Sequence, residues 1–307
     1  MEFGRVEEKA LKQIDLSLPV EPVFNKKVLR GKAYKKPTVY VGCAKWGRKE
    51  WVGKLYPPKT RERDFLSHYV RHYNSIELNA THYKIYGAAG ISKWCAIVGD
   101  QQFLFCPKMY KGVSHRGKLD PKSFIAKEFF RGVAAFKEHL GPILVQVHER
   151  FSPKRKEELY GFLSGLPAGF QYFLEVRHPD WFEPETQQEL FKTLSKLKVG
   201  SVITDTAGRR DAAHMHLSIP AAFIRFVGNS LHPTDFPRID EWVERINYWL
   251  KSGIRTVYFF MHMHDEATSP ELSADFVKKL NAACQLDLPV PQLINALPVK
   301  PKRSRKK

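Results

Sequence analysis

Residues 173–182 read Phe-Leu-Glu-Val-Arg-His-Pro-Asp-Trp-Phe, and they predict a buried strand that ends in a turn. Side chains of a strand alternate between its two faces, so Glu175 and Arg177 share one face. Pro179 cannot donate a hydrogen bond to a sheet, so the chain turns there, next to His178. A carboxylate, a guanidinium and an imidazole at one strand end indicate a functional site.

Eight short apolar runs of this kind occur along the chain, and each is followed by residues at helical spacing. The runs are 39–43, 75–79, 103–108, 143–148, 172–177, 201–205, 222–227 and 257–262. Eight β-α units in about 250 residues match the number and size of a closed (β/α)8 TIM-type barrel. The alternative is an open, doubly wound sheet, but no Gly-x-Gly-x-x-Gly motif opens the first helix.

We therefore predict an α/β protein with one (β/α)8 barrel over residues 37–290. A polar N-terminal extension, residues 1–36, precedes it, and a basic tail, residues 291–307, follows it. The chain has 307 residues, of which 43% are hydrophobic, so a large core is expected. Four widely spaced cysteines and no apolar run of roughly 18 residues indicate a cytoplasmic protein that does not bind membranes.

The formal net charge of +18 is concentrated partly in the tail, because six of the ten residues 298–307 are Lys or Arg. Such basic segments attract polyanions without reading their sequence. Nucleic acid is therefore one expected partner, and an anionic small molecule is the other. The sequence does not indicate an oligomeric state.

Polar residues near the C-terminal ends of buried strands need a reason to be there. In the predicted barrel, those in phase with the interior converge on the C-terminal mouth, where catalytic residues of this architecture lie. The residues with this phase are Glu77, Asn79, Lys108, Gln146, His148, Glu175, Arg177, Asp205, Arg225, His262 and His264.

These residues divide by chemistry into proton-transfer and binding candidates. The catalytic candidates are the carboxylates Glu175, Glu77 and Asp205. The cations Arg177, Arg225 and Lys108 are suited to a phosphate or carboxylate. Further substrate-binding candidates are Asn79, His148, His178, Trp46 and Tyr83. The alternative is a lattice of buried ion pairs that fills the barrel.

A metal site is a further possibility at residues 261–265, Met-His-Met-His-Asp. His262 and His264 share one face and could chelate a divalent metal together with a carboxylate. Three nearby cations oppose a metal ion, so no cofactor is expected to be required.

Two motifs make the chain similar to a known family. Residues 41–46, Val-Gly-Cys-Ala-Lys-Trp, and 73–83, Tyr-Asn-Ser-Ile-Glu-Leu-Asn-Ala-Thr-His-Tyr, resemble the YecE-like family, the seventy-second of the numbered domains of unknown function. Glu-Val-Arg-His-Pro-Asp-Trp at 175–181 is a further match. The resemblance implies a TIM-type barrel and no established activity.

The chain departs from this family at two places. Gly-Cys-Ala-Lys-Trp at 42–46 stands where the family commonly has Gly-Thr-Ser-Gly-Trp. His-Met-His-Asp at 262–265 stands where an Asn-Asp pair often ends the last strand. The second departure leaves the role of that strand end open.

Three functions follow from these residues. The first is an enzyme that acts on a phosphate-bearing or otherwise anionic substrate at the mouth. The second is a non-catalytic nucleic-acid-binding protein that uses the basic rim and tail. The third is a metal-dependent hydrolase centred on His262 and His264. The sequence does not choose between hydrolase, lyase and isomerase chemistry.

Overall fold

Eight strands in a computed structural model of the protein, which describes residues 3–294, all pair in parallel. Their alternation with helices makes the protein an α/β fold, as predicted. The strands are β1 Thr38–Cys43, β2 Ser75–Leu78, β3 Leu104–Pro107, β4 Ile143–Gln146, β5 Tyr172–Glu175, β6 Gly200–Asp205, β7 Ala221–Gly228 and β8 Thr256–Met263.

The prediction of a closed eight-stranded barrel was wrong. Six strands form one open, curled sheet in the order β1-β8-β7-β6-β5-β4, and β2 pairs only with β3 in a separate two-stranded sheet. Between β3 and β4 the residues described here contain two isolated pairings, Phe105 with Leu140 and Lys108 with Leu144. The strands were therefore predicted well, but the continuity of their hydrogen bonding was not.

Side chains take the place of backbone hydrogen bonds between β1 and β2. The Asn74 amide accepts from the Val41 N–H (2.7 Å) and donates to the Val39 carbonyl (2.9 Å). The Tyr69 hydroxyl accepts from the Cys43 N–H (2.7 Å) and donates to the Ser75 carbonyl (3.0 Å). Two polar side chains thus pair with the backbone groups of Val39, Val41 and Cys43 at this edge of β1, where the sheet is interrupted.

Helices separate consecutive strands along most of the chain. The α-helices between residues 3 and 294 are α1 Lys26–Leu29, α2 Phe65–Tyr69, α3 Ala80–Tyr83, α4 Ala88–Val98, α5 Lys111–Ser114, α6 Phe124–Val133, α7 Lys156–Ser164, α8 Pro184–Leu197, α9 Asp235–Ser252 and α10 Ser269–Cys284. Short 3-10 helices lie at Glu8–Gln13, Val23–Asn25, Lys49–Trp51, Glu62–Asp64, Ala134–His139, Pro153–Arg155, Pro179–Phe182, Arg210–Ala213 and Glu266–Thr268. No helix in this range is both long and apolar enough to span a bilayer.

An aromatic layer fills the concave side of the sheet near the N-terminal ends of the strands. Tyr40 stacks on Tyr258 with ring centroids 5.3 Å apart, and Phe173 lies 5.4 Å from Phe223. Phe260 continues this layer at 4.9 Å from Phe223. These rings exclude water from below, so polar side chains farther along the same strands can meet solvent only at the C-terminal ends.

The N-terminal segment packs against the sheet and α9. Leu11 and Leu16 are buried against Ala207, and Glu21 forms an ion pair with Arg245 on α9 (3.0 Å). The division into residues 1–36, 37–290 and 291–307 remains an interpretation. Most of the predicted basic tail lies outside the described residues.

Candidate functional site

A cavity of about 640 Å³ lies over the C-terminal ends of the strands, and we call it the mouth cavity. Its volume falls in the range of small-molecule sites. Side chains from strand ends, from the loops that follow them and from the N-terminal segment line it: Phe3, Ala44, Lys45, Arg48, Asn79, Tyr83, Lys108, Glu149, Arg177, Arg225, His262, His264, Asp265 and Glu266.

A guanidinium between two carboxylates forms the floor of the mouth cavity. Arg225 on β7 donates to Glu77 on β2 through Nε (2.8 Å) and Nη2 (2.9 Å). Its Nη1 donates to both carboxylate oxygens of Glu175 on β5, at 3.0 and 2.8 Å. Each of the three side chains is at most 2% exposed. Because isolated buried charges are costly, each member of this cluster depends on the others.

The two carboxylates are held in their ionised form. Burial opposes ionisation of Glu77, but the charge of Arg225 and the contact with His262 outweigh it and hold the pKa of Glu77 well below its usual value. Burial likewise opposes ionisation of Glu175, but Arg177, Arg225 and Lys108 lower the pKa of Glu175 to about 2. Both groups are therefore anionic and weakly basic near neutral pH.

Neighbouring polar groups complete the hydrogen bonding of these carboxylates. Asn79 donates its amide to Glu77 Oε1 (2.9 Å), and Nε2 of His262 lies 3.1 Å from Glu77 Oε2. The Thr204 hydroxyl on β6 donates to Glu175 Oε1 (3.0 Å). Side chains from five strand ends thus converge on one cluster.

Arg177 connects this cluster to the mouth cavity. Its Nε donates to Glu175 Oε1 at 3.0 Å, and its side chain is 15% exposed. The ring of Phe3 lies against the guanidinium, with 4.1 Å between the ring centroid and Cζ of Arg177. Arg177 therefore has one contact with the buried carboxylate while it also lines the cavity.

Lys108, directly after β3, is the second cation between the cluster and the cavity. Lys108 as a whole residue is 9% exposed. Burial and repulsion from Arg225 and Arg177 lower the pKa of Lys108 to about 7, although Glu175 and Glu77 act in the opposite direction. An amine with this pKa exchanges a proton readily at neutral pH, which makes Lys108 chemically distinct from an ordinary surface lysine.

Residues 40–294 match the family model described as protein of unknown function DUF72. The chain belongs to the DUF72 family. It is 28% identical over 253 residues to UPF0759 protein YecE of Escherichia coli strain K12, covering 76% of this chain and 89% of that protein. UPF0759 protein YunF of Bacillus subtilis strain 168 is 28% identical over 171 residues, 52% of this chain and 57% of its own length.

Solved DUF72 structures share the fold. A DUF72 family protein from Enterococcus faecalis V583 superposes with a TM-score of 0.62 at 14% identity, covering 86% of this chain and all of that one. A DUF72 family protein from Thermotoga maritima MSB8 gives 0.61 at 22% identity, covering 80% of this chain and 99% of that one. These likenesses support the chain path alone.

Asp205, predicted to face the interior of this DUF72 chain, lies elsewhere. It is fully buried between the sheet and α9, where it accepts from the indole of Trp242 (2.8 Å) and pairs with Arg238 (3.0 Å) and Arg210. Thr204, its neighbour, points at Glu175 instead. The predicted phase of β6 was therefore wrong by one residue, which moves Asp205 out of the site.

The other predicted binding residues divide between the mouth cavity and its surroundings. Asn79 and Tyr83 line the cavity, and Tyr83 is 67% exposed. His148 accepts from the Arg150 N–H (3.1 Å) and contacts the ring of His115, while His178 accepts from the Asp180 N–H (3.3 Å) and caps its turn. Trp46 packs edge-on against aromatic rings of the core. Of Trp46, Tyr83, His148 and His178, only Tyr83 is among the cavity-lining residues within 3–294.

The two candidate metal ligands take different positions. Both line the mouth cavity, but His262 is buried and its Nε2 lies 3.1 Å from Glu77 Oε2. Among residues 3–294, no group of three or more His, Cys, Asp or Glu side chains is arranged to hold a metal ion. The metal-dependent hydrolase therefore has no ligand set in this part of the chain.

Among the site residues that the sequence did not predict, Thr204 and Phe3 contact Glu175 and Arg177 directly. Thr204 could be predicted only if the phase of β6 were known. Val202 and Ile203 lie on opposite faces of this strand and are both buried, so they do not indicate which face is the interior one. Phe3 stands in a polar segment far from Arg177 along the chain. No pattern in the sequence connects the two.

Proposed function

We propose that this protein is an enzyme that binds an anionic, phosphate-bearing substrate in the mouth cavity and transfers a proton there. The observation that carries this proposal is the position of Arg177 and Lys108, which line a cavity large enough for a small molecule directly above the Arg225 cluster. Fixed cations at the closed end of a cavity are suited to recognition of phosphate or carboxylate groups.

The balance of charge favours an anion. Three cations, Arg225, Arg177 and Lys108, face two carboxylates, Glu77 and Glu175, so three minus two leaves one positive charge when Lys108 is protonated. Further along the cavity wall, Lys45 and Arg48 add positive charge, and Glu149, Asp265 and Glu266 add negative charge. The excess of positive charge is thus greatest at the closed end, where field lines are focused.

Lys108 is the group that we assign to proton transfer. A general acid or base works best when its pKa lies near the working pH, and the pKa of Lys108 is about 7. Glu175, with a pKa lowered to about 2, is a poor proton acceptor at that pH. In this proposal Glu77 and Glu175 hold the cations in place, and Arg177 binds the anion.

A matched pair of arginine variants tests the binding step. Arg177 and Arg210 are similarly exposed, at 15% and 21%, and each pairs with a buried carboxylate that also pairs with a buried arginine. Of these two arginines, only Arg177 is among the residues within 3–294 that line the mouth cavity. Isothermal titration with inorganic pyrophosphate should show binding that Arg177→Met weakens at least tenfold and Arg210→Met leaves unchanged. Equal weakening by both variants would mean that binding follows overall charge and not this cavity.

We also propose nucleic acid as a second candidate ligand, because of the net charge of +18 and the basic residues 298–307. Each neutralised phosphate releases counterions, so binding should be independent of sequence and should weaken steeply as salt increases. Deleting residues 298–307 should lower affinity for a random single-stranded DNA in fluorescence anisotropy at 50 mM salt, on the order of tenfold. An unchanged dissociation constant in the truncated protein would limit the tail to a role in solubility.

A further inference from the structure

The N-terminal segment contributes one side chain to the mouth cavity, and that side chain touches Arg177. The ring of Phe3 lies 4.1 Å from Cζ of Arg177 and 5.1 Å from Cζ of Arg209. Phe3 is also among the residues that line the cavity. It lies outside residues 40–294, the part of the chain that matches the DUF72 family model.

The geometry of a guanidinium explains what such a ring can do. The group is planar, with two faces that stack on aromatic rings and an edge of N–H donors that binds carboxylate or phosphate. In Arg177 the Nε donor meets Glu175 at 3.0 Å, and one face meets Phe3. Two different contacts therefore fix the plane and the rotation of this side chain where it lines the cavity.

The backbone around Phe3 is built to hold the ring in place. The Gly208 N–H donates to the Gly4 carbonyl at 2.8 Å, and the Thr206 hydroxyl lies 3.1 Å from the same oxygen. Gly4 has φ +70, and a Cβ at this position would lie 2.3 Å from Cγ2 of Thr206. Glycine is thus required there both by conformation and by space.

Arg209 completes the support of the ring. It lies against Phe3 on one side of the segment and is itself held by Asp211 through Nε (2.9 Å) and Nη2 (2.7 Å). A ring with two cations near it is attracted electrostatically by both. Phe3 is therefore fixed by its backbone and by a second arginine that does not contact the buried carboxylates.

We propose that Phe3 is a positioning residue of the anion site, which holds the guanidinium of Arg177 in the orientation that receives the substrate anion. The inference rests on the proposed function, because it assigns Arg177 to the anion. A preorganised guanidinium loses less conformational freedom when the anion arrives, so binding is tighter than with a mobile one. This would make the segment before residue 40 part of the site and more than a polar extension.

The test is titration of the full chain with inorganic pyrophosphate, with any affinity tag at the C-terminus so that it lies far from Phe3 along the chain. Phe3→Ala should raise the dissociation constant about tenfold, the effect expected for loss of a cation–π contact and of preorganisation. Gly4→Ala, which keeps the ring but displaces it, should have a similar effect. Val20→Ala changes an exposed residue of the same segment (87% exposed) and is the matched control.

Conservative variants separate positioning from bulk. Phe3→Tyr keeps an aromatic face and should restore wild-type affinity, whereas Phe3→Leu keeps apolar volume and should not. Thermal unfolding should change little in all of them, since the segment is anchored independently by Leu11 and Leu16.

Three results would overturn the inference, and they can be told apart. Wild-type binding with an unchanged dissociation constant in Phe3→Ala, or full affinity in Phe3→Leu, rejects the role of the ring and leaves the proposed function standing. If the wild-type protein binds no pyrophosphate, both the proposed function and this inference fail.

Discussion

Two clusters of buried carboxylates and arginines lie at the C-terminal side of the sheet, and they differ in what surrounds them. In the first, Arg225 pairs with Glu77 and Glu175 beneath the mouth cavity. In the second, Asp205 pairs with Arg238 between the sheet and α9. Both have members with almost no exposure, yet of the two clusters only the first contributes residues within 3–294 to the lining of the mouth cavity.

The surroundings decide what the same ion pair can do. In the Asp205 cluster the hydrogen bonds are made within the protein: Trp242 donates to Asp205, and Arg238 donates to the backbone carbonyls of Asp205 and Val227. The contacts of Trp242 and Arg238 with Asp205 and Val227 tie α9 to the sheet. In the Arg225 cluster, by contrast, Glu175 also binds Arg177, and both Arg177 and Lys108 line the mouth cavity. Burial of charge alone is thus weak evidence for function, and access to a cavity is the distinguishing feature.

The largest effect is expected when the central cation of either cluster is removed. Arg225→Met removes the cation shared by the buried Glu77 and Glu175, and Arg238→Met removes the cation shared by the buried Asp205 and Asp235. Each variant should lose about 3 to 5 kcal/mol of unfolding free energy, measured by urea denaturation at pH 7. A loss below about 1 kcal/mol in Arg225→Met would mean that water reaches Glu77 and Glu175 and that the floor of the cavity is not sealed.

A smaller and more discriminating effect is expected when a carboxylate is neutralised. Asp205→Asn breaks a sealed cluster and should cost about 3 kcal/mol. Glu175→Gln should cost less, about 1 to 2 kcal/mol, because Arg177 can turn to the solvent-filled cavity and recover hydration. Urea denaturation of both variants measures the difference. Equal losses would make the two clusters equivalent and would favour a purely structural role for Glu175.

How far the sequence predicts these clusters depends on the pattern around each residue. Glu77, Glu175 and Arg225 stand in strands whose interior phase was assigned correctly, since bulky apolar neighbours occupied the opposite face. Strand β6 carries apolar residues on both faces, as parallel strands do, so nothing local distinguished Thr204 from Asp205. The contacts of Arg225 with Glu77 and Glu175 also join residues far apart in the chain, 148 and 50 positions away.

The interruption of the sheet has a similar cause. Eight β-type runs were visible in the sequence, and eight strands formed. Whether neighbouring strands share a ladder depends on side chains such as Asn74 and Tyr69, which bond to the backbone of β1 in place of β2. Replacement of backbone hydrogen bonds by side-chain ones depends on the tertiary structure. Asparagine and tyrosine are common in loops and helices, and hydrophobic periodicity does not show which of them will bond to a strand.

The smallest effect, and the one that depends on pH, concerns Lys108. The pKa of Lys108 is lowered from 10.5 to about 7 in the folded protein. Between these two values the unfolded chain binds more protons than the folded one, so this group makes stability rise with pH. The cost of holding a buried charge at Lys108 is thus fully present below pH 7 and is gone above pH 10.5.

Lys108→Met removes that cost, so it should stabilise the protein at low pH and not at high pH. We expect a gain of at least about 1 kcal/mol at pH 6, since one unit of pKa corresponds to about 1.4 kcal/mol and the lowering of the Lys108 pKa, which already includes the attraction of Glu175 and Glu77, exceeds one unit. The gain should disappear as the pH approaches 10, in urea denaturation at pH 6, 8 and 10. Lys251→Met, at an exposed lysine of α9, is the control for the loss of a lysine. A gain that does not vary with pH would show that Lys108 keeps an ordinary pKa and is not the proton-transfer group of the mouth cavity. Anion binding would then be the one proposed function that distinguishes the Arg225 cluster from the Asp205 cluster.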